Sequence, residues 1–197
     1  MKIIDIVKKL YPFNYSVAGE GNDKSIKVFK KYLNFKIHKF KTKKKINGWI
    51  IPNSIKVLVG EIFFKDKKIL DTKNSPFHSI EQSISFKGYV KGNDLLKRLS
   101  FSKVCPQGIP YHWTGLYRPS QKTWGFSVKK SFLRKIKKNN SYYINLKVKK
   151  TNHNMNVLDF ELKGKTKNTI ILNAHNCHRF QANDDISGCA VGISIFK

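Results

Sequence analysis

The sequence has few acidic residues and almost no arginine for its charge. Twelve aspartates and glutamates stand against 39 lysines and arginines, which gives a formal net charge of +27. Only four of the 39 are arginine, the residue that makes bidentate contacts to phosphate and guanine. The lysines are spread along the whole chain. We therefore expect a solvated, lysine-rich surface with weak nonspecific affinity for nucleic acid, and no sequence-specific nucleic-acid interface.

Cysteine is rare, and long apolar runs are missing. The three cysteines, Cys105, Cys177 and Cys189, form no CxxC pair, and such an odd set fits a reducing compartment better than a disulfide framework. No apolar run approaches the roughly 18 residues of a membrane span. Charges also interrupt the N-terminal stretch MKIIDIVKKLYPF, where a signal peptide is continuously apolar. The sequence therefore predicts a cytoplasmic protein without a membrane segment, and it leaves the oligomeric state open.

The hydrophobic pattern changes along the chain and predicts the domain organisation. Residues 3–10 and about 23–33 have helical spacing, and FKIHKF alternates like a half-buried strand. Strand-like segments then dominate, apart from a short helix near Asp94 and a basic helix expected at about 127–138. MNVLDFELKG and NTIILNAHNC next indicate two consecutive strands, followed by a helix from Ile186.

These segments predict an α/β fold that is interrupted by an insertion. An outer α/β unit would consist of residues 1–56 and 151–197. A mostly β domain of residues 57–150 would be inserted between its two parts. The chain contains no internal repeat and no low-complexity linker between these parts.

The strongest candidate site is the stretch HNCHRFQANDDISG at residues 175–188. Asp184 and Asp185 are the last two acidic residues of the chain, and they follow His175 and His178. A predicted strand ends near the histidines and a helix begins after the aspartates, so imidazole and carboxylate groups can reach one divalent cation. Two other interpretations stay open: a helix cap and an incidental polar loop.

Two residues of this stretch are interpreted as structural from spacing alone. Strand alternation no longer determines the direction of His175, because the predicted strand ends about there. Cys177 is expected to be a small buried hydrophobe, as most free cysteines are.

Five separated motifs give the chain a family resemblance. They are YPFNYSVAGEGND (11–23), GWIIP (48–52), IPYHW (109–113), KTWGF (122–126) and the stretch from ILNAHNCH to SG (171–188). In this order they resemble a bacterial zinc aminopeptidase-like family that carries a small β-rich domain of unknown function inserted in the peptidase fold. The resemblance covers residues 3 to 197. It implies an incomplete zinc-aminopeptidase-like mixed sheet with flanking helices, plus the inserted mostly β domain.

The resemblance also implies a role for each residue of the candidate site. His178 would be a ligand of one zinc ion, and Asp184 would be the carboxylate that bridges two zinc ions. Asp185 would lie beside the bridge, and Ser187 and Gly188 would form the tight start of the following helix. A complete site of this kind holds two zinc ions.

The chain departs from the family pattern in two positions and in its extent. In the wider aminopeptidases an acidic residue orients the histidine ligand, but this chain has Phe180 at that position. The resembling family usually has a proline after the histidine ligand. This chain has Arg179 there, and the positive charge of Arg179 opposes cation binding. The family's remaining ligands and its glutamate general base follow the Ser-Gly helix, so no catalytic residue is identifiable in this chain.

The resemblance therefore predicts the N-terminal portion of a zinc-dependent aminopeptidase-like hydrolase with a peptide-like substrate. We expect this chain to be inactive alone, because it lacks the general base and several ligands. It would be either a fragment of a longer protein or a degenerate remnant. Two alternatives stay open: a non-catalytic binding or regulatory remnant of the same fold, and a nonspecific polyanion-binding basic protein.

Overall fold

The helices and strands of the chain are short. The structure, a computed structural model, describes residues 2–113, 122–179 and 181–197. The helices are α1 (Ile3–Leu10), α2 (Glu20–Phe29), α3 (Gly92–Leu96) and α4 (Gly188–Phe196). The strands are β1 (Lys36–Phe40), β2 (Lys45–Ile46), β3 (Trp49–Ile50), β4 (Ile55–Phe64), β5 (Lys67–Asp71), β6 (Phe86–Lys91), β7 (Leu99–Ser100), β8 (Phe126–Ser127), β9 (Ser141–Lys150) and β10 (Met155–Asp159). Within these described segments, no helix is long and apolar enough to cross a bilayer.

The chain divides into two compact units. Residues 1–54 and 152–197 form one, which we call the outer unit, and residues 55–151 form the other, which we call the insert. The divisions thus follow residues 54 and 151, where the sequence predicts boundaries after residues 56 and 150.

The core of the outer unit is built from α1, α2 and α4. Ile6 and Leu10 of α1 are fully buried and belong to one apolar cluster with Ala190 and Ile193 of α4. Tyr15 follows α1 and is also fully buried. Its hydroxyl donates to the carbonyl of Leu10 at 2.8 Å, which satisfies an orphan acceptor at the helix end. Burial raises the pKa of Tyr15 above its usual value, so this hydroxyl stays protonated.

A two-stranded antiparallel sheet of β1 and β10 completes the outer unit. Asp23 of α2 holds the start of β10 through two side chains. Its Oδ2 lies 2.6 Å from Nδ1 of His153, and its Oδ1 accepts a hydrogen bond from Nδ2 of Asn156 at 2.7 Å. The loop that leads to the candidate site therefore leaves from a strand that is fastened to α2.

The start of α2 differs from the prediction by about one turn. The helix begins at Glu20, not near residue 23, so Gly21 lies inside it. A Cβ at Gly21 would overlap the carbonyl group of Asn14. Glycine is unfavourable in a helix, and this close approach of two backbone segments is the physical reason for it here.

The insert is organised around a four-stranded antiparallel sheet with the strand order β5-β4-β9-β6. Tyr142, Ile144 and Leu146 of β9 are buried and alternate with more exposed residues. This is the period-two pattern that predicts a half-buried strand. The three side chains pack with Trp124 and Phe126 in the core of the insert.

The basic helix expected at about 127–138 is wrong in extent. Only Lys130–Lys135 are helical, as a short 3₁₀ segment. The backbone N–H groups of Phe126 and Val128 donate to the carbonyls of Arg98 and Ser100 at 2.9 and 2.8 Å. These bonds pair β8 with β7, so Ser127 is extended and not helical. Tertiary pairing therefore overrides the local helical spacing.

The strand predicted from NTIILNAHNC is also wrong. Residues 160–177 contain no helix and no strand. Ile170 and Ile171 are 87% and 82% exposed. An apolar run needs a neighbouring strand to pair its backbone and a core to cover its side chains, and the described residues supply neither.

We expect the Gly21→Ala substitution to destabilise the protein. The added methyl group would force the helix away from Asn14, and the free energy of unfolding should fall by about 1–3 kcal/mol in urea denaturation. Gly164→Ala is the matched control, because a Cβ there meets no atom within 4 Å and should change stability by less than about 0.5 kcal/mol. Equal effects of the two substitutions would contradict the packing explanation.

Candidate metal centre

Three side chains of the loop before α4 converge on one point. Oδ1 of Asp184 lies 2.9 Å from Nε2 of His175, and Oδ2 of Asp184 lies 3.5 Å from Nε2 of His178. One donor atom from each of the three residues lies within 4.8 Å of the others. Two imidazole nitrogens and a carboxylate oxygen form a donor set that suits zinc.

The neighbouring carboxylate of Asp185 has a different task. Its Oδ1 accepts from the backbone N–H of Gly188 at 3.1 Å, and its Oδ2 accepts from the backbone N–H of His175 at 3.2 Å. A Cβ at Gly188 would overlap Oδ1 of Asp185, so glycine is required for this contact. The peptide bond between Asp184 and Asp185 is cis. The capping contact therefore belongs to Asp185, and Asp184 remains the candidate ligand of this pair.

The other residues named for this stretch occupy the start of α4. Ser187 donates its hydroxyl to the carbonyl of Asn183 at 2.6 Å, and its backbone N–H bonds to the carbonyl of Ala182 at 2.9 Å. Both bonds close the turn before α4, in which Asp184 and Asp185 have non-helical backbone angles. Phe180, the position where the wider aminopeptidases carry the orienting acidic residue, lies outside the described residues.

His175 was missed as a candidate ligand by the sequence analysis. Interpreting it as structural relied on a strand that does not form, and the structure brings its Nε2 as close to Asp184 as any donor of the cluster. Its neighbour Asn176 is also held, because its carbonyl accepts from Nδ2 of Asn22 at 2.8 Å. Asn22 belongs to the first of the five motifs, and no spacing rule in the sequence indicates its contact with a loop 154 residues away.

Gln181 provides the test of whether the cluster fits a cation. It is 2% exposed, and its Nε2 lies 3.2 Å from Nδ1 of His175. With Nδ1 as acceptor, the ring proton sits on Nε2 and faces Asp184, which is the arrangement of a metal-free cluster. Among the described residues, Oε1 of Gln181 is buried without a hydrogen-bond partner.

A half-turn of the Gln181 amide produces the arrangement that a metal requires. Oε1 would then accept a hydrogen bond from the Nδ1–H group of His175. This bond satisfies the buried oxygen and leaves the lone pair on Nε2 of His175 directed at the centre of the cluster. Metal-ligating histidines normally donate their second N–H to such an acceptor. The unpartnered oxygen of Gln181 is therefore the acceptor that His175 would need if His175, His178 and Asp184 held a cation.

The two cysteines near the cluster are protonated thiols at neutral pH in the metal-free chain. Burial raises the pKa of Cys189 to about 12, with the charge of Asp185 adding to the effect. Burial also raises the pKa of Cys177, whose Sγ lies 3.4 Å from Nδ1 of His175. Thiols react more slowly with electrophiles than thiolates do, and the donor atoms that converge here are those of His175, His178 and Asp184.

The chain is similar to a family model, to a curated protein and to a solved structure. The model described as "Domain of unknown function (DUF4910)" matches residues 4–197. A Clostridium acetobutylicum protein, provisionally named for polysaccharide biosynthesis and for an aminopeptidase-like domain, is 22% identical over 100% of this chain and 44% of its own length.

A crystal structure from Clostridium acetobutylicum, provisionally named as a peptidase, matches at a TM-score of 0.79 and 21% identity. The match covers 98% of this chain and 45% of that one. At this identity the likeness concerns the fold alone, and it confirms the predicted α/β class. The chain spans less than half the length of each relative that it matches.

We predict that the three cysteines differ strongly in reactivity. Cys105 is exposed, whereas a pKa of about 12 leaves only about one in 10⁴ Cys189 side chains as thiolate at pH 8. Iodoacetamide at pH 8 should therefore modify Cys105 at least about tenfold faster than Cys189, as measured by peptide mass spectrometry. The reactivity of Cys189 should rise as the pH approaches 12 and should match that of Cys105 in denaturant. Equal rates in the folded chain would show that Cys189 is not protected.

Proposed function

The chain belongs to the DUF4910 family, and we propose that it is one part of a zinc-dependent aminopeptidase-like hydrolase with a peptide-like substrate. The convergence of His175, His178 and Asp184 carries the proposal. The aminopeptidase-like and peptidase names of the two relatives support the reaction class. A cytoplasmic location, inferred from the cysteine usage, belongs to the same proposal.

The residues of the cluster have separable roles in this proposal. His175 and His178 offer neutral nitrogen donors, and Asp184 offers a carboxylate with two oxygens that can serve one or two cations. Gln181 orients His175, and Asp185 holds the backbone of His175 against α4. Zinc bound here would supply Lewis-acid activation of water for attack on a peptide-type carbonyl.

A complete hydrolytic site needs groups beyond this cluster. A two-metal centre takes further terminal ligands, and water activation takes a general base. We propose that these groups come from polypeptide outside residues 1–197, because each relative is more than twice as long as the matched segment. The exposed apolar run Ile170–Leu172 lies three residues before His175, and we propose that it pairs there with a further strand of the same fold.

We predict that zinc binding depends on all three residues of the cluster. In equilibrium dialysis with metal analysis, the chain should bind zinc weakly, because three ligands hold it less well than a closed site of four. His175→Ala, His178→Ala and Asp184→Asn should each weaken binding at least about tenfold. Spacing alone favours a structural role for His175, whereas the 2.9 Å between its Nε2 and Oδ1 of Asp184 supports the proposal that it is a ligand.

Asp66→Asn is the matched control, because it removes an exposed carboxylate of the insert and should leave zinc binding unchanged. Asp184→Asn removes the carboxylate but keeps the ability to cap a helix, because asparagine caps helices as well as aspartate does. Unchanged zinc affinity in this variant would therefore contradict the metal-centre proposal. The same result would favour the alternative of a non-catalytic remnant.

We also predict that residues 169–174 become ordered in a chain extended to the full peptidase fold. In the 197-residue chain their amides lack strand partners among the described residues and should exchange rapidly with deuterium. In the extended chain, strand pairing should slow this exchange at least about 100-fold. Peptides from β9, which is paired in the insert, provide the internal control. Equally fast exchange at residues 169–174 in both chains would contradict the proposed pairing.

A further inference from the structure

The insert contains a cleft that shares no residue with the metal cluster. Its volume is about 340 Å³, at the lower end of the range for small-molecule sites. The polar part of its lining consists of Asp94, Lys97, Arg98, Ser100, His112 and Thr123. All of these residues belong to the insert, so the cleft does not depend on the outer unit.

Arg98 is held in this cleft by stacking and by hydrogen bonds. Its Cζ lies 4.5 Å from the centroid of the Trp124 ring, and Trp124 itself is 5% exposed and stacks on Phe86 at 4.5 Å. Nη1 of Arg98 donates to Oγ1 of Thr123 and to the carbonyl of Trp124, both at 3.3 Å. A guanidinium fixed in this way loses little side-chain entropy when it binds a ligand.

The backbone of Arg98 is fixed as well. Its N–H donates to the carbonyl of Leu95 at 2.8 Å, and its carbonyl accepts from the N–H of Phe126 at 2.9 Å. A Cβ at Gly125 would press on the carbonyl of Arg98, so glycine permits the close approach of the two chain segments. The guanidinium is therefore positioned by the fold and not by a mobile loop.

The structure gives the remaining donors of Arg98 no partner among the residues that it describes. A guanidinium has five N–H donors, and the two bonds from Nη1 leave those of Nε and Nη2. In the part of the chain that the structure describes, no hydrogen bond or ion pair uses them. This edge of the guanidinium matches two oxygens of a carboxylate or a phosphate.

The charge of the cleft favours an anion. Asp94 is the acidic residue of the lining, and it is paired with Lys97 at 2.9 Å. The hydrogen bond from Lys97 lowers the pKa of Asp94, so this carboxylate stays ionised and balances Lys97. Asp94 also interacts electrostatically with Arg98, so Asp94, Lys97 and Arg98 together leave the lining one net positive charge.

We propose that this cleft binds the oxyanion of a small molecule, a carboxylate or a phosphate, through Nε and Nη2 of Arg98. The hydroxyl of Ser100 and the imidazole of His112 line the same cleft and supply further hydrogen-bonding groups. The ordered guanidinium distinguishes this cleft from the rest of the lysine-rich surface, because lysine binds anions only as a flexible point charge.

Nuclear magnetic resonance of the arginine side chains tests the proposal. The chain has four arginines, so the spectrum of arginine Nε–H groups contains few signals. Inorganic phosphate and acetate, each titrated into the chelator-treated chain against sodium chloride of equal ionic strength, are the probes. We expect the Arg98 signal to shift saturably with at least one probe, and the comparison of the two probes distinguishes phosphate from carboxylate. Removal of metal by the chelator makes the result independent of the proposed zinc centre.

Arg98→Lys keeps the positive charge but loses the planar fork, and it should raise the dissociation constant at least about tenfold. Arg134→Lys, at an exposed position of the insert, is the matched control and should bind as the unchanged chain does. Through-bond assignment of the Arg98 signal in the unchanged chain decides the question even if Arg98→Lys unfolds. Shifts that stay linear with both probes, shifts that sodium chloride reproduces, or equal affinity in Arg98→Lys would overturn the proposal.

Discussion

The carboxylate of Asp185 determines the geometry on which the candidate metal centre depends. Its two oxygens bind the N–H groups of Gly188 and His175, so one side chain joins the first turn of α4 to the loop that carries the histidines. A negative charge at the start of a helix is also favoured by the helix dipole. Because Asp185 satisfies the helix end, Asp184 can point at the imidazoles of His175 and His178. The buried face of α4 packs with α1, and through this contact the core of the outer unit supports the loop.

Local pattern predicts the segments that pair with neighbours present in the chain, and it fails where pairing is decided elsewhere. The spacing of α1 and the alternation of β9 each report a side that is buried in the structure. Ser127 lies in the segment that spacing predicts as a helix, but it is extended because it pairs with Ser100 of β7. Ile170 and Ile171 are strand-like but exposed, because no described strand pairs with them. His175 could not be recognised as a candidate ligand from spacing, because side chains 6 and 10 residues away hold it in place.

The net charge acts in opposite directions on the two sites. A net charge of +27 opposes the binding of a divalent cation, although salt screens this repulsion over about 8 Å at physiological ionic strength. The attraction for the cation must therefore come from nearby carboxylates. The side chain of Asp184 is 74% exposed, so the high dielectric constant of water weakens its attraction for a cation. The same field favours an anion at Arg98, where the guanidinium is already ordered against Trp124. The same net charge would thus weaken the proposed metal centre and strengthen the proposed anion cleft.

The weakness of the proposed metal centre and the exposure of the apolar run have a common physical origin. Residues 160–177 have no regular structure, and this loop is held near the cluster by Asn22 at Asn176 and by Asp185 at His175. Ordering of such a loop costs about 1–2 kcal/mol of backbone entropy per residue, and a metal that binds it must supply that free energy. If a strand paired with Ile170–Leu172, burial of the apolar side chains would supply the ordering free energy instead. The histidines would then be positioned before the metal arrives, so strand pairing and metal affinity must rise together.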